Sequence, residues 1–293
     1  MIEPFTLPFM GRALIEIVLL ALICGPVSVF VYARRLAFVS DALTHTVFPG
    51  VVIGFVAGGL DGVFVGALVA GLLTAVVLTV LTRGNRVSDD AATAVVLTAM
   101  FSVGVVLVSR RTSYTSDLTA FLFGRLLTVT PRQIAETAVV AVVVLVALLV
   151  GARALLFRTF DPAGSAAAGF RVGWLDLWLN VVVALVVVAA VRAVGTILVV
   201  ALLIVPAAAA RMVTDRLVAM AVIGTLLIAG AGYAGLLASW TASLHCGVAL
   251  TSASSIVLLL VAAYLVLIPV RLLRTRRGGP PVPERNSAHE LVG

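Results

Sequence analysis

Hydrophobic residues occur along the chain in nine long runs that are separated by short polar segments. The runs are approximately 13–33, 37–58, 62–82, 91–109, 133–151, 175–191, 195–209, 217–237 and 254–270. Most of them approach the roughly 20 apolar residues that a helix needs to cross a bilayer, whereas strands of a membrane barrel would alternate over about 10 residues. The pattern therefore predicts an all-α, polytopic helical membrane protein with about eight or nine transmembrane helices.

The composition supports this class and excludes several others. With 62% hydrophobic residues, 11% charged residues and a mean hydropathy of +1.22, the chain is too apolar for a soluble globular protein. Its net charge of +7 would suggest nucleic acid in a soluble chain, but here arginines in cytoplasmic loops explain it better. All 20 basic residues are arginine, so a P-loop lysine is absent from the sequence. The chain is therefore not expected to hydrolyse ATP by that route.

The arginines also predict how the chain is oriented in the cell membrane. Nine crossings with the C-terminus in the cytoplasm place 14 of the 20 arginines on the cytoplasmic side. The six on the outer side are Arg12, Arg110, Arg111, Arg125, Arg132 and Arg192. Fusing the sixth and seventh runs into one crossing would destroy this bias, so we expect nine crossings. They form a permease domain over 1–270, and the polar segment 271–293 is predicted to be a disordered cytoplasmic tail.

Two ionisable residues lie inside the second apolar run. Asp41 and His45 are four positions apart, which places them on one face of a helix, one turn apart. Carboxylate and imidazole suit zinc, manganese and iron, and ionisable groups within a membrane often line an ion pathway. Pro49, followed by Gly50, predicts a helix break that leaves the His45 carbonyl without its amide donor. The alternative is a structural clasp, in which the two side chains pair with each other or with a neighbouring arginine.

A second stretch, 206–217, has the features of a docking segment. Pro206 is expected to end or kink the helix before it, and the alanines up to Ala210 favour a new short helix. Arg211, Asp215 and Arg216 can then face a soluble partner. The alternative is a plain connection whose arginines follow the positive-inside rule.

Weaker signals lie elsewhere in the chain. His245, between the last two runs, is a candidate for a second metal-handling point at the outer mouth. The outer loop 110–132 is apolar but too short to span, which favours either a re-entrant or interfacial helix or a lipid-facing loop. Glu16 and Glu136 are interpreted as interfacial charges or as charges in the first turn of a helix, and Asn180 as an interhelical hydrogen-bonding residue.

Two stretches together resemble one known family. Residues 35–51 resemble the second-helix signature of the zinc/manganese/iron-type ABC transporter permeases, and residues 195–211 resemble the stretch that leads into the coupling helix of that family. The resemblance implies a transport subunit that is not an enzyme, two copies of which form a homodimer with a pathway along their interface. ATP hydrolysis would take place on a separate ATP-binding-cassette ATPase subunit docked below them. The resemblance also implies an extracytoplasmic metal-binding protein above. By position, Asp41 and His45 match the metal pathway, and 206–217 matches the coupling segment.

The function expected from these features is import of a divalent metal ion by alternating access. Zinc, manganese or iron would be the transported ion, and no permanently bound cofactor and no nucleic acid are expected. An imidazole must be neutral to ligate a metal, so transport is expected to fall at acidic pH. The alternative is a secondary metal transporter driven by an ion gradient, in which the carboxylate and the histidine relay protons.

Overall fold

Helices make up most of the structure, a computed structural model that describes residues 3–83, 88–109, 124–245 and 251–277. Short 3₁₀ turns occupy Glu3–Thr6 and Leu126–Thr128. The α-helices within the described residues are α1 (Pro8–Ala33), α2 (Ala37–Thr46), α3 (Phe48–Thr82), α4 (Asp89–Ser109), α5 (Pro131–Phe160), α6 (Pro162–Ala167), α7 (Val172–Val213), α8 (Leu217–His245) and α9 (Ser252–Arg277).

Eight helical stretches of the described chain are long and apolar enough to cross a membrane. They are Pro8–Ala33, Ala37–Gly59, Asp61–Thr82, Asp89–Ser109, Pro131–Phe160, Val172–Val213, Leu217–Leu244 and Ser252–Pro269. This confirms the prediction of an all-α, multi-pass membrane protein. The sixth and seventh apolar runs lie together in α7. α9 continues past residue 270, where the tail is predicted to begin, and residues 278–293 lie outside the described part of the chain.

α7 contains a sharp break that reverses its direction. Gly195 has φ 78° and ψ 166°, far from helical values. A straight helix of 42 residues would be about 63 Å long, with its ends on opposite sides of the bundle. Instead, Asp176 near its start bonds Arg34 at 2.7 Å, and Ala210 near its end packs with Val29. Since both partners lie near the end of α1, α7 runs to the far end and returns, so the described chain crosses the bundle nine times.

Salt bridges mark the two ends of the bundle. At one end, which we call the Arg34 end, Asp176 pairs with Arg34 at 2.7 Å and with Arg158 at 3.1 Å. At the opposite end, the Arg192 end, Glu136 pairs with Arg192 at 2.5 Å. The positive-inside analysis likewise places Arg34 and Arg158 on one side of the membrane and Arg192 on the other. It further predicts that the Arg34 end faces the cytoplasm.

The turn between α1 and α2 is closed by two backbone hydrogen bonds. Leu36 donates to the carbonyl of Val31 at 2.9 Å, and Arg35 donates to that of Tyr32 at 3.2 Å. This is a Schellman motif, whose left-handed position usually carries glycine. Here Arg35 occupies it with φ 58°, at a cost of about 1–2 kcal/mol for a residue with a Cβ. The tight turn lets α2 begin at once at Ala37.

Close backbone packing holds the start of α3 in place. Gly58 and Gly59 interrupt α3 and divide it into two arms. A Cβ on Gly50 would lie 2.2 Å from the carbonyl oxygen of Gly66, so the arms touch backbone to backbone and no larger residue fits. Since α2 leads directly into the first arm, this contact also positions α2.

The segment before α5 packs on the reversal at Gly195. The amide of Arg125 donates to the carbonyl of Ala193 at 3.1 Å, and Leu126 is buried. This bond satisfies a carbonyl at the end of the first arm of α7, as irregular backbone in a membrane protein requires. The preceding residues 110–123 lie outside the described residues, so the two interpretations of that loop stay predictions.

Candidate functional site

Asp41 and His45 lie on one face of α2, as their spacing predicts. His45 Nε2 is 3.7 Å from Asp41 Oδ1, and the side chains are 30% and 40% exposed, respectively. This distance is longer than a hydrogen bond, so the two groups do not satisfy each other. Both therefore keep lone pairs available for a ligand.

The spacing of the two side chains suits a single metal ion. Two ligands that are each about 2.1 Å from one ion can be at most about 4.2 Å apart, and 3.7 Å lies within this limit. The described residues contain no group of three or more His, Cys, Asp and Glu side chains that could hold a metal. Within the described chain, the pair thus supplies two side-chain ligands and leaves further coordination positions to water, backbone or another subunit.

The surroundings of the pair differ from those of a sealed helix seam. Among the described residues, Asp41 has no arginine partner. The His45 ring meets Phe101 of α4 edge to face, with ring centroids 5.9 Å apart, and Phe101 is itself 41% exposed. Leu43 and Val39, on the other side of α2, are buried, whereas Thr44 borders the face of the pair and donates to the Asp41 carbonyl at 2.7 Å. The face that carries Asp41 and His45 is therefore the open face of α2.

The helix break lies immediately after this pair. α2 ends at Thr46 and α3 begins at Phe48, with Pro49 in its first turn, a position that tolerates a missing amide. The interruption amounts to one residue, Val47, whose φ of −70° and ψ of −23° are still helical, so α2 and the first arm of α3 form one membrane-spanning stretch. The predicted free carbonyl of His45 stays a prediction: the Val47 amide donates to the Leu43 carbonyl at 3.3 Å and also turns toward the carbonyl of His45.

His245 is the last residue of α8, and its side chain lies outside what the structure describes. Its suggested role at the outer mouth stays a prediction. Asn180, by contrast, donates to Thr79 Oγ1 at 3.0 Å. This confirms the predicted interhelical hydrogen bond, which links α7 to α3.

A chain of four charged residues at the Arg192 end was not predicted as a unit. Asp61 pairs with Arg132, which pairs with Glu136 at 3.2 Å, and Glu136 pairs with Arg192. The Arg192 guanidinium also lies over the ring of Phe64, 5.2 Å from its centroid. These four charged residues link α3, α5 and α7. Only the i, i+4 spacing of Arg132 and Glu136 is visible in the sequence.

Glu16 is not an interfacial residue, contrary to the sequence-based interpretation. It is fully buried, and its carboxylate accepts a hydrogen bond of 2.8 Å from Thr137 Oγ1. The second carboxylate oxygen has no hydrogen-bond partner among the described residues. Position near the start of α1 suggested exposure, but α5 packs over this face and removes it from solvent.

The predicted docking segment is partly buried. α7 continues through Pro206 to Val213, so the expected helix end and new short helix are wrong. Pro206 and Ala210 are buried, with Ala210 in a cluster with Met220. The helix persists because the proline removes only one ladder bond while its buried surroundings hold the helical backbone on both sides.

Only the last part of this segment is available to a partner. Arg211 pairs with Asp215 at 2.7 Å, and the Asp215 side chain is 89% exposed. Arg216 is exposed as well, in the short connection between α7 and α8. These three residues lie at the Arg34 end, where the last turn of α7 packs near Val29.

Comparison with known proteins identifies the family. The model of the ABC 3 transport family matches residues 6–270, which includes every predicted membrane span. The chain belongs to the ABC 3 transport family. This confirms the family that the stretches 35–51 and 195–211 resemble.

Individual members of the family are similar over most of their length. The chain is 36% identical over 212 residues to the manganese transport system membrane protein MntC of Halalkalibacterium halodurans, and the aligned region covers 72% of each of the two proteins. It is 32% identical over 238 residues to the chelated iron transport system membrane protein YfeD of Yersinia pestis, covering 81% of this chain and 79% of that protein.

A solved structure shows the same fold. PsaBC from Streptococcus pneumoniae, in complex with a Fab, superposes with a TM-score of 0.79 at 30% identity. The superposition covers 94% of this chain and 100% of the other. The helical architecture described above is therefore shared with a solved structure over nearly the whole chain.

Proposed function

We propose that the protein is the membrane-spanning permease subunit of an ATP-binding-cassette importer for a divalent transition metal ion. The observation that supports this most is the half-exposed pair of Asp41 and His45, 3.7 Å apart on the open face of a membrane-spanning helix. Imidazole and carboxylate suit zinc, manganese and iron. Two relatives in the family are named for transport of manganese and of chelated iron.

In this proposal, two permease subunits enclose the route of the ion. One chain offers only two side-chain ligands within its described part, and their exposed face is free to meet the same face of a second copy. The ion is then handed through a symmetric site between copies and held only transiently, since tight binding would prevent release. A homodimer is the simplest assembly that completes such a site.

Transport is driven by a separate ATPase subunit. Its cycle moves the connection around Arg211, Asp215 and Arg216, and the helices then rock so that the level of Asp41 and His45 opens inward. An extracytoplasmic metal-binding protein delivers the ion to the opposite end. Membership of an ABC family favours this ATP-driven mechanism over the gradient-driven alternative.

The test is reconstitution of the chain with its ATPase and binding protein in lipid vesicles. Zn²⁺, Mn²⁺ or Fe²⁺ is expected to stimulate ATP turnover and to enter the vesicles. Mg²⁺ and Ca²⁺, which take oxygen ligands, are expected to do neither. Metal uptake that persists without the ATPase would contradict the proposal and favour a gradient-driven carrier.

The docking role of the α7–α8 connection is tested by reversing a charge. Arg216→Glu is expected to weaken binding of the ATPase subunit about tenfold, because it places a like charge opposite the acidic groups that an arginine would meet. Arg171→Glu is the matched control, since Arg171 is exposed just before α7 at the same end. Affinity is measured in detergent with both purified subunits. Equal weakening by both variants would show a general charge effect and contradict a specific docking surface.

A further inference from the structure

A polar cleft of about 370 Å³ opens at the Arg34 end of the bundle. Its charged lining comprises Arg34, Arg35, Asp89, Arg158 and Asp176. Leu36 and Val39 also line it, and these lie on the opposite face of α2 from Asp41 and His45. The cleft is therefore separate from the proposed metal route.

Two of the three arginines share one carboxylate at the back of the cleft. Asp176 accepts from Arg34 at 2.7 Å and from Arg158 at 3.1 Å. Arg34 also donates to Thr159 and is fully engaged, and burial lowers the pKa of its guanidinium, a shift that Asp176 opposes. The Nε of Arg158 is buried and has no hydrogen-bond partner among the described residues. This corner thus carries net positive charge and one unused donor.

Arg35 adds a further positive charge at the same cleft. Its side chain is exposed and makes no hydrogen bond or ion pair within the described part of the chain. Its backbone occupies the left-handed position of the Schellman motif, where glycine would fit without strain. With Asp89 included, three arginines face two aspartates, and the formal charge of the lining is +1.

We propose that this cleft binds a phosphate group, held by Arg35 and Arg158, from a phospholipid headgroup or from free phosphate. The guanidinium fork matches phosphate oxygens, and the unused Nε–H of Arg158 supplies a further donor. The cleft lies where the apolar spans end, at the level of the headgroups. Basic pockets between membrane helices at such ends bind phosphorylated headgroups.

The test measures ligand binding to the purified full-length chain by native mass spectrometry, without metal or ATPase. Phosphatidylglycerol is expected to bind, and diacylglycerol, which lacks the phosphate, is not. Arg35→Gly and Arg158→Gln should each lower the affinity for phosphatidylglycerol about fivefold. Arg35→Gly suits the left-handed backbone and so preserves the turn, and Arg35→Gln should lower the affinity equally. Arg171→Gln, an exposed arginine at the same end, should leave it unchanged.

Competition with inorganic phosphate identifies the source of the group. The cleft accepts free phosphate if inorganic phosphate binds the parent chain, displaces the lipid and binds more weakly to the same variants. If inorganic phosphate does none of these, the ligand is the lipid headgroup. Equal binding of phosphatidylglycerol and diacylglycerol would overturn the proposal. Equal losses in Arg171→Gln and Arg35→Gly would overturn it as well. Because no transport is measured, these outcomes are independent of the proposed metal import.

Discussion

Replacing Asp41 or His45 by alanine is expected to reduce metal uptake by reconstituted vesicles at least about 100-fold, since each change removes one of only two side-chain ligands on this face. In a symmetric pair of copies, one substitution removes two ligands from the shared site. The measurement is initial uptake of the cation that stimulates the parent transporter. ATP turnover without metal should persist, because neither residue belongs to the α7–α8 connection.

Matched substitutions separate loss of a ligand from loss of charge or of folding. Asp90→Ala removes an exposed carboxylate in the first turn of α4, and His289→Ala removes an imidazole from the predicted tail. Both variants should transport at the parent rate. Asp41→Asn retains an oxygen donor and should keep more activity than Asp41→Ala. Parent-like uptake by the alanine variants of both Asp41 and His45 would show that the ion takes another route.

The Gly195→Ala substitution is expected to destabilise the fold by about 1–3 kcal/mol, because φ 78° with ψ 166° is a region that essentially only glycine occupies. The added Cβ must either accept this strain or push α7 toward a straight helix. A straightened α7 would pull Asp176 and Ala210 to opposite ends of the bundle. Thermal unfolding of the purified chain in detergent should show a lower midpoint for the variant.

A second glycine-to-alanine change supplies the control for this prediction. Gly230 lies in α8, is exposed and has open space where a Cβ would be added. Gly230→Ala should therefore be neutral or slightly stabilising, since alanine favours helix over glycine by about 1 kcal/mol. If both variants unfold at the midpoint of the parent chain, the reversal at Gly195 does not depend on its unusual backbone conformation.

Local spacing was sufficient to place the candidate site, whereas proline chemistry overstated the interruption of the helix beside it. The four-residue interval puts Asp41 and His45 on one face whatever surrounds α2. Proline chemistry indicated an interruption near Pro49, but the structure has only a one-residue gap at Val47, where the backbone angles stay helical, and Pro49 lies in the first turn of α3. At Pro206, the same chemistry did not end the helix, because buried surroundings on both sides hold its backbone in place.

Features that depend on distant partners could not be predicted in this way. The pairing of Glu136 with Arg192 joins residues 56 positions apart, and the contact of Glu16 with Thr137 joins residues 121 apart. Nothing near Glu16 in the sequence shows that α5 will cover it. The role of each of these polar side chains becomes visible only in the folded protein, where its partner on another helix lies beside it.

The sequence by itself determined the membrane class, the approximate spans and the sorting of arginines between two ends. These properties are local, because whether a run of about 20 residues can span a bilayer depends on the hydrophobicity of that run alone. Only the tertiary structure decided that the expected reversal between the sixth and seventh runs occurs at Gly195 within one long helix, that Glu16 is buried and that the face of Asp41 and His45 remains open. Those outcomes depend on which helices pack against each other. Packing brings together residues that are far apart in the sequence, whereas hydropathy and spacing describe one segment at a time.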